Sequence, residues 1–367
     1  MENRVRVLVT DDSAFMRKMI SEILSKDPAI EVIGTARDGA DAVAKVLSLK
    51  PQVVTLDVEM PIMDGFAALT RIMKEQPTPV VMISSLTQAG AEATIRCLGA
   101  GAVDFVGKPS GSISLDIEKV GQEIAAKVKM AARVRMSSQA PVAPVAPPRP
   151  FLPSPRVPAP GGGTPLPRVL VIGSSTGGPR ALQALMPCIP GDLNIPIVVV
   201  QHMPCGFTAA LAKRLNEACD YEIREAATGD MLRPGLALVA QGGKHLEFSS
   251  DGRARLTETP PVHNVRPSVD VTLASLVQAY SGRIMAVLLT GMGDDGARGL
   301  KAVRHLGGIT FAEDASTCVV YGMPKSAVEM DAVDHLLPLP AIAPAIVEAV
   351  RGCTDPRATR YPSFTIK

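Results

Sequence analysis

The stretch Ile172-Gly173-Ser174-Ser175-Thr176-Gly177-Gly178 decides the fold of the second half of the chain. It follows a short apolar run, Val169 to Ile172, and precedes a helix-like segment that Pro179 opens. We interpret it as a strand that runs through a tight turn into a helix. Its Gly-x-Ser-x-Gly pattern is typical of a nucleophile elbow. Glycines permit the strained turn there, one serine oxygen projects outward, and nearby backbone N–H groups stay free to bind an oxyanion.

Two further strand ends carry residues that suit an acyl-transfer enzyme. His202 follows the apolar run Ile195 to Val200, and the strand Arg283 to Thr290 leads into Gly291-Met292-Gly293-Asp294-Asp295-Gly296. The carboxyl ends of adjacent parallel strands line one crevice of an open α/β sheet. We therefore predict a catalytic triad in which Ser175 is the nucleophile, His202 is the base and an aspartate fixes the imidazole tautomer.

The same segments allow other interpretations. A Gly/Ser-rich turn before a helix also binds anions. The pattern Gly291-x-Gly293-x-x-Gly296 is a formal dinucleotide fingerprint, and Glu313 and Asp314 lie roughly 20 residues further on, where a ribose-binding acid is expected. Against this interpretation, Asp294 and Asp295 would place negative charge where a pyrophosphate must approach. A dinucleotide-dependent oxidoreductase and a non-catalytic phosphosignalling adaptor therefore remain alternatives.

Two residues compete with the predicted triad members. His263, in the polar loop His263 to Asp270, is the main rival of His202 as the base, and this loop is expected to line the site in either case because loops often carry function. Cys205 lies three residues after His202 and is a rival nucleophile. It follows a proline and lacks the elbow, which favours an inert cysteine.

The first third of the chain carries a different group of strand-end residues. Asp11 and Asp12 end one apolar strand, Asp57 lies on another, Ser84 ends a third, and Lys108 follows a fourth. Three clustered carboxylates repel one another unless a hard cation takes them, and oxygen ligands suit Mg²⁺. One carboxylate oxygen can then accept a phosphoryl group, while the metal and the lysine offset the charge of that group.

Apolar strands and helical segments alternate throughout this region. We predict helices over Ala14 to Ser25, Gly39 to Leu49, Gly65 to Glu75, Glu92 to Leu98 and Leu115 to Met136. The alternation predicts a parallel sheet with helices on both faces, and the second half shows the same α/β pattern. By this pattern alone, Phe105 is a strand residue that packs in the core.

The first part of the chain resembles a response-regulator receiver domain. The matching residues are the acidic pair Asp11 and Asp12, the phosphoacceptor Asp57, the switch hydroxyl Ser84, the switch aromatic Phe105 and the lysine Lys108. The resemblance implies a doubly wound, flavodoxin-type domain that binds Mg²⁺ through Asp11, Asp12 and Asp57 and takes a phosphoryl group from a chemotaxis histidine kinase.

Nearly the whole chain resembles the chemotaxis family of protein-glutamate methylesterases and glutamine deamidases. The resemblance rests on the order receiver, linker, Gly-x-Ser-Thr-Gly-Gly, Gln-His-Met-Pro and Thr-Gly-Met-Gly-x-Asp-Gly. It implies that Ser175 is the nucleophile, His202 the base and Asp295 the third member, that Thr176 and Met292 lie at the oxyanion site, and that the segment Arg266 to Asp270 lies near the active site. Asp294 departs from the asparagine common in the family, and Ser174 from an alanine.

The resemblance also implies the function. The protein is expected to be a phosphorylation-regulated serine hydrolase that demethylates glutamate methyl esters and deamidates glutamines on methyl-accepting chemoreceptors. These reactions provide adaptation in bacterial chemotaxis. No cofactor is expected for the hydrolysis itself.

Composition is that of an ordinary globular chain of about two domains. The 367 residues are 46% hydrophobic and carry a net charge of +2, which gives no support for a nucleic-acid partner. With no apolar leader and only strand-sized apolar runs, neither export nor membrane insertion is expected. The six cysteines show no paired spacing and are expected to be reduced thiols of a cytoplasmic protein. We expect a monomer.

A proline-rich segment separates the two halves. Residues 137–167 contain 11 of the 32 prolines and the run Gly161-Gly162-Gly163, a composition that cannot form a packed core. We predict a receiver domain at 1–136, a linker at 137–167, a methylesterase/deamidase domain at 168–355 and a tail at 356–367. Within the second domain, turn signals over Gly235 to Thr259 predict a β meander. Such a tether would let the domains dock or separate.

Overall fold

The computed structural model describes residues 4–108, 115–134, 169–280 and 283–351. The predicted linker at 137–167 and the predicted tail at 356–367 lie outside these residues. The described chain contains two parallel sheets and a two-stranded antiparallel pair. None of the described helices is both long enough and apolar enough to span a membrane.

Five strands form the first sheet: β1 (Val5–Thr10), β2 (Ile30–Ala36), β3 (Val53–Asp57), β4 (Val80–Ser84) and β5 (Asp104–Gly107). They are all parallel and lie in the order β2-β1-β3-β4-β5. Its helices are α1 (Ala14–Ser25), α2 (Gly39–Leu49), α3 (Gly65–Glu75), α4 (Gln88–Gly99) and α5 (Leu115–Ala131). The carboxyl ends of β1, β3 and β4 therefore bring Asp11, Asp57 and Ser84 to one edge, as predicted.

Local sequence signals explain where these helices begin. Ser13, Asp38, Asp64 and Thr87 each cap a helix, because each side chain accepts a backbone N–H of the first turn. Because Thr87 is the cap, α4 begins at Gln88, four residues before Glu92, where we predicted its start. At the other end of the domain, α5 ends at Ala131 and a turn follows it, so this helix is shorter than predicted within the described residues.

Seven parallel strands form the second sheet: β6 (Val169–Ser174), β7 (Ile197–Gln201), β8 (Glu222–Glu225), β9 (Leu236–Val239), β12 (Ile284–Leu288), β13 (Ile309–Glu313) and β14 (His335–Leu337). Their order is β14-β13-β12-β6-β7-β9-β8. The surrounding helices are α6 (Gly178–Leu185), α7 (Phe207–Asn216), α8 (Val269–Tyr280), α9 (Ala297–His305), α10 (Met323–Glu329) and α11 (Leu339–Arg351). The three central strands, β12, β6 and β7, are fully buried and apolar except for Ser174 and Gln201 at the ends of β6 and β7, as expected for a sheet covered on both faces.

The predicted β meander over Gly235 to Thr259 is wrong. Its first strand, β9, joins the main sheet in parallel between β7 and β8. Only β10 (His245–Phe248) and β11 (Ala254–Thr257) form an antiparallel pair. The physical reason lies in β9, whose four apolar residues are all buried and therefore need cover on both faces.

The two α/β units pack against each other. Helix α4 of the first unit contacts α6 and α7 of the second. Phe105 on β5 lies against Phe207 at the start of α7, with ring centroids 4.4 Å apart. Buried apolar residues of both units, these two phenylalanines included, form one continuous core cluster. The fold class is thus the predicted α/β architecture of two doubly wound parallel sheets, here in a docked arrangement.

Candidate active site and receiver pocket

Ser175 lies in the turn between β6 and α6, as the elbow pattern predicts. Its backbone N–H donates to Thr290 O at 3.1 Å, and its carbonyl accepts from Gly178 N at 2.8 Å. Gly177 has a φ of 78°, a left-handed conformation that favours glycine. Gly291 is required for a different reason, because a Cβ there would lie 2.8 Å from Ser175 Cβ. These constraints leave the Ser175 side chain half-buried at the carboxyl edge of the sheet.

His202 and Asp295 form a close pair at the same edge. His202 Nε2 lies 2.7 Å from Asp295 Oδ2. Asp295 is 2% exposed and also accepts from Ser268 Oγ at 2.7 Å, Val269 N at 2.7 Å and Asp270 N at 3.1 Å. These bonds fix the carboxylate, which can orient the His202 ring through its Nε2–H and leave Nδ1 free to accept a proton.

Electrostatics favour a charged Asp295. Burial acts to raise the pKa of this carboxyl, but the hydrogen bond and charge of His202, followed by the bonds from Ser268 and Val269, hold it below the usual value. Within the described ranges no hydrogen bond joins Ser175 Oγ to His202. Such bonds are often long before substrate binds and tighten in the complex.

Asp294 does not contact His202. Its side chain is 58% exposed, and its Oδ1 lies 3.0 Å from Nδ1 of His263. The two adjacent aspartates therefore contact different histidines. The ring nitrogens of His263, the other candidate base, lie 3.0 Å from carboxylate oxygens of Asp270 and Asp294.

The residues predicted at the oxyanion site differ in their surroundings. Thr176 is 7% exposed, and its Oγ1 donates to Asp104 Oδ2 of the receiver unit at 2.6 Å. Met292 is 55% exposed. In the part of the chain that the structure describes, neither backbone N–H donates to a partner, so both are available to an oxyanion.

Several supporting residues were not identified from the sequence. Gln201 accepts from Ser174 Oγ at 2.7 Å and donates to Ser175 O at 2.9 Å, and so holds the elbow. Ser268 and Asp104, described above, are the others. Ser268 lies in the segment Arg266 to Asp270 that the resemblance placed near the site, whereas Gln201 could have been found from its position just before His202.

The receiver pocket brings together the predicted acids and lysine. Lys108 Nζ lies 2.7 Å from Asp57 Oδ2 and 3.0 Å from Asp11 Oδ2. Carboxylate oxygens of Asp11, Asp12 and Asp57 all lie within 4.8 Å of one another. The pKa of Asp57 is raised to about 6, mainly because the carboxyl is buried. The hydrogen bond from Lys108 lowers this pKa, whereas the charge of Asp11 raises it further. A pocket that crowds three carboxylates in this way suits a divalent cation.

The predicted switch residues point away from this pocket. Ser84 is fully buried and donates to Gly90 O at 3.2 Å, while Thr94 Oγ1 donates to Ser84 Oγ at 2.7 Å. Both partners lie on α4, the helix that contacts the second unit. Phe105 lies in the interface itself. The switch residues therefore connect the acidic pocket to the docked surface.

The geometry argues against a dinucleotide site. Glu313, one of the two acids at the expected ribose position, is fully buried and accepts from Thr290 N at 2.9 Å. It is therefore not available to a ribose. Asp295, within the glycine-rich loop, faces His202 and would oppose a pyrophosphate.

Comparisons with known proteins found relatives of each of the two units and of nearly the whole chain. A family model for the CheB methylesterase matches residues 170–346, and a model for the response regulator receiver domain matches residues 7–117. A Symbiobacterium thermophilum protein named protein-glutamate methylesterase/protein-glutamine glutaminase is 53% identical over 354 residues, which cover 94% of this chain and 97% of that protein. A Geobacillus kaustophilus protein of the same name is 48% identical over 350 residues, which cover 94% of this chain and 99% of that protein.

A solved structure is also similar. The crystal structure of the Thermotoga maritima CheB methylesterase catalytic domain is 43% identical, with a TM-score of 0.48, and the match covers 50% of this chain and 98% of that one. The full-length relatives confirm the resemblance seen in the motifs. The chain therefore belongs to the family of protein-glutamate methylesterases/protein-glutamine glutaminases, in which a response regulator receiver domain is followed by a CheB methylesterase domain.

Proposed function

We propose that Ser175, His202 and Asp295 hydrolyse γ-glutamyl methyl esters and glutamine side-chain amides on methyl-accepting chemoreceptors. The observation that carries the proposal is the 2.7 Å contact between His202 and Asp295 beside the Ser175 turn. Asp295 is buried, and both of its carboxylate oxygens accept hydrogen bonds. A carboxylate held in this way fixes one imidazole tautomer and stabilises the imidazolium that forms when the serine is deprotonated. The names of the relatives supply the glutamyl substrate.

The reaction follows from the roles of these groups. His202 Nδ1 takes the proton of Ser175 Oγ as that oxygen attacks the side-chain carbonyl, and the backbone N–H groups of Thr176 and Met292 bind the oxyanion. As the C–O or C–N bond of the intermediate breaks, the imidazolium protonates the departing methoxide oxygen or amide nitrogen, which leaves as methanol or ammonia, and a glutamyl ester remains on Ser175. Water, activated by His202, hydrolyses this ester, restores the serine and leaves a glutamate carboxylate.

The receiver pocket is proposed to control this reaction. Asp11, Asp12 and Asp57 would hold Mg²⁺, since their carboxylate oxygens lie within 4.8 Å of one another and the ammonium of Lys108 is shared between Asp11 and Asp57. When bound, the ion would offset charge on the transferred phosphoryl group. Asp57 would accept that group from a chemotaxis histidine kinase, while Lys108 would bind its oxygens.

Docking is proposed to restrain the unphosphorylated enzyme. Asp104 holds Thr176, the neighbour of the nucleophile, and Phe105 packs on Phe207. Phosphorylation at Asp57 would shift Ser84 and Phe105 and disfavour this docked state, which is a change of population and not of chemistry.

The domain limits 1–136, 137–167, 168–355 and 356–367 are part of the proposal, as is a cytoplasmic location. The location is supported by the five described cysteines, which are all unpaired thiols, as is usual in a reducing compartment.

The direct test is release of methanol from methylated chemoreceptor by the full chain. Ser175→Ala and His202→Ala should each lower kcat/KM by about three orders of magnitude or more, and the double variant should be little worse, because nucleophile and base act as one unit. Cys205→Ser is the matched control, since Cys205 is exposed and outside the triad, and it should retain normal activity. Near-normal turnover by Ser175→Ala would refute the proposal.

A further inference from the structure

Thr290 lies just beyond the end of β12, at the sheet edge that carries the catalytic residues. It is 1% exposed and precedes Met292 by two residues. Its N–H donates to Glu313 Oε2 at 2.9 Å, which fixes Thr290 itself against β13. Its carbonyl and its hydroxyl make hydrogen bonds with the two segments that carry the proposed oxyanion donors, the turn with Thr176 and the loop with Met292.

The first of these donors, Thr176 N–H, belongs to the peptide unit between Ser175 and Thr176. The carbonyl of this unit, Ser175 O, accepts from Gln201 Nε2 at 2.9 Å and from Gly178 N at 2.8 Å. Because a trans peptide is planar and its N–H points opposite to its carbonyl, these two bonds set the direction of Thr176 N–H. Thr290 holds the chain on both sides of the unit, since Ser175 N donates to Thr290 O at 3.1 Å and Thr290 Oγ1 donates to Thr176 O at 3.0 Å.

The second donor, Met292 N–H, is fixed in the same way. It belongs to the peptide unit between Gly291 and Met292, whose carbonyl is Gly291 O. That oxygen accepts from Gly322 N at 3.1 Å and from Met323 N, at the start of α10, at 2.9 Å. By the same planarity, the direction of Met292 N–H is set from the segment that leads into α10.

The Thr290 hydroxyl connects these two arrangements. Besides donating to Thr176 O, its oxygen accepts from Val320 N at 2.9 Å, and Val320 O is a second, longer acceptor for its proton at 3.3 Å. Val320 O in turn accepts from Gly291 N at 3.0 Å. A single buried hydroxyl therefore joins the turn that carries Thr176 to the segment that holds Gly291, the residue before Met292.

This hydroxyl uses its whole bonding capacity in the described structure. A threonine hydroxyl has one proton to donate and lone pairs to accept with, and Thr290 uses both functions on main-chain atoms. Its removal would take the donor from Thr176 O and the acceptor from Val320 N in a place that water does not reach. Buried groups that lose their partners are costly, so the two segments would shift relative to each other.

We propose that Thr290 is a positioning residue for the hydrolysis, whose hydroxyl sets the relative placement of the Thr176 and Met292 N–H groups at the oxyanion site. The inference rests on the proposed function and deepens it, because it names the side chain that joins the two halves of that site. Donors that are already in place cost no reorganisation when the oxyanion forms. Loss of the hydroxyl therefore weakens binding of the transition state more than binding of the substrate.

The first test is hydrolysis by the full chain of a synthetic peptide that carries one γ-methyl glutamyl ester, with a small acyl-phosphate donor and Mg²⁺ present for every variant. Thr290→Val replaces the hydroxyl by a methyl group and should lower kcat about tenfold or more, with KM within about twofold of the wild type. Thr290→Ser keeps the hydroxyl and should restore kcat to within about threefold. Should Thr290→Val not fold, Thr290→Cys takes its place, since a thiol is a weaker donor, and the same loss of kcat at an unchanged KM is expected.

The matched control is Thr310 on β13, which is equally buried but lies near the amino end of its strand. Its Oγ1 donates to Asp334 Oδ2 at 3.0 Å and accepts from Asp334 N at 2.9 Å, so Thr310→Val also removes a buried hydroxyl with one donated and one accepted bond. This variant should lower Tm but leave kcat and KM within about twofold of the wild type, because Thr310 is remote from the oxyanion site.

The second test does not require turnover of the ester. An alkyl fluorophosphonate forms a bond from Ser175 Oγ to phosphorus as fluoride leaves, and its phosphoryl oxygen takes the oxyanion position. Thr290→Val should slow this labelling about tenfold, whereas Thr290→Ser and Thr310→Val should not.

Equal losses of kcat in Thr290→Val and Thr310→Val, or a Thr290→Ser variant as slow as Thr290→Val, would overturn the inference. If the wild type releases no methanol from the peptide while its Ser175 reacts with the fluorophosphonate, the proposed substrate is wrong, and the labelling rates alone decide on Thr290.

Discussion

Asp294 and Asp295 are adjacent residues that meet different histidines, and this difference separates their expected effects. Asp295→Asn removes the charge that stabilises the His202 imidazolium and favours the wrong tautomer, so kcat should fall by about 10⁴. Asp294→Asn retains an acceptor for His263 and should change kcat/KM at pH 7 by no more than about threefold. Steady-state methanol release by the two variants gives the comparison. The reverse ranking would mean that Asp294 is the acid of the triad.

For single residues, the sequence predicted which edge of the sheet a site residue lies on better than it predicted which side chains that residue contacts. Ser175, His202 and Asp57 could be placed because parallel strands deliver their carboxyl ends to one edge. The choice between Asp294 and Asp295 could not be made from spacing, because the directions of both side chains depend on a turn with positive φ at Gly293 and Gly296. The bond between Asp104 and Thr176 joins residues 72 positions apart in two domains, and only the docking orientation creates it.

At the scale of elements, β13 carries a buried acid behind the catalytic turn. Burial raises the pKa of Glu313, although Thr290 N donates to it and acts in the opposite direction. The folded protein therefore binds this proton more tightly than the unfolded chain does. It follows that the free energy of unfolding falls as pH rises from the usual glutamate pKa into the raised range.

Glu313→Gln should remove that decline, because glutamine keeps an acceptor for Thr290 N and has no proton to lose. Thermal unfolding between about pH 4 and pH 8 should show a flatter dependence of Tm on pH in this variant than in the wild type. Glu329→Gln, at an exposed acid of α10, is the control and should follow the wild type. Parallel curves for wild type and Glu313→Gln would contradict the burial argument.

Elements also show why the meander was mispredicted. Glycine turns mark where a strand ends but not which partner the next strand takes. The buried run of β9 is what directs it into the parallel sheet. By contrast, the five strands and five helices of the receiver follow from their alternation, since right-handed parallel crossovers leave few other topologies.

At the scale of the whole molecule, the receiver pocket and the active site lie on two docked units. Labelling of Asp57 by a small acyl-phosphate donor should require Mg²⁺ and should disappear in Asp57→Asn. Asp11→Ala or Asp12→Ala should raise the Mg²⁺ concentration needed about tenfold or more, because each removes a metal-binding carboxylate. Asp41→Asn, a receiver acid outside the pocket, should label normally. Undiminished labelling in a chelator would contradict the metal site.

Coupling between the two units can be tested at Asp104, whose Oδ1 is bonded to Phe105 N and Lys127 within the receiver and whose Oδ2 is bonded to the second unit. In the docked state Asp104 Oδ2 accepts from Thr176 Oγ1, next to the nucleophile. A hydrogen bond to a charged group contributes about 1.5–3 kcal/mol, so Asp104→Ala should shift the population toward the undocked state by roughly tenfold or more. Unphosphorylated full chain carrying this change should therefore hydrolyse methylated receptor faster than the wild type, and a phosphodonor should raise its rate by a smaller factor.

The control for this coupling lies at the edge of the same interface. Lys213 and Glu92 form an exposed ion pair between the units at 3.0 Å, and solvent screening makes such pairs weak. Lys213→Ala should therefore leave the basal rate within about twofold of the wild type. If Asp104→Ala is no faster than the silent wild-type chain while Asp57 still accepts phosphate, the receiver does not restrain the enzyme through Thr176. The phosphorylated receiver would then have to act through an activating contact.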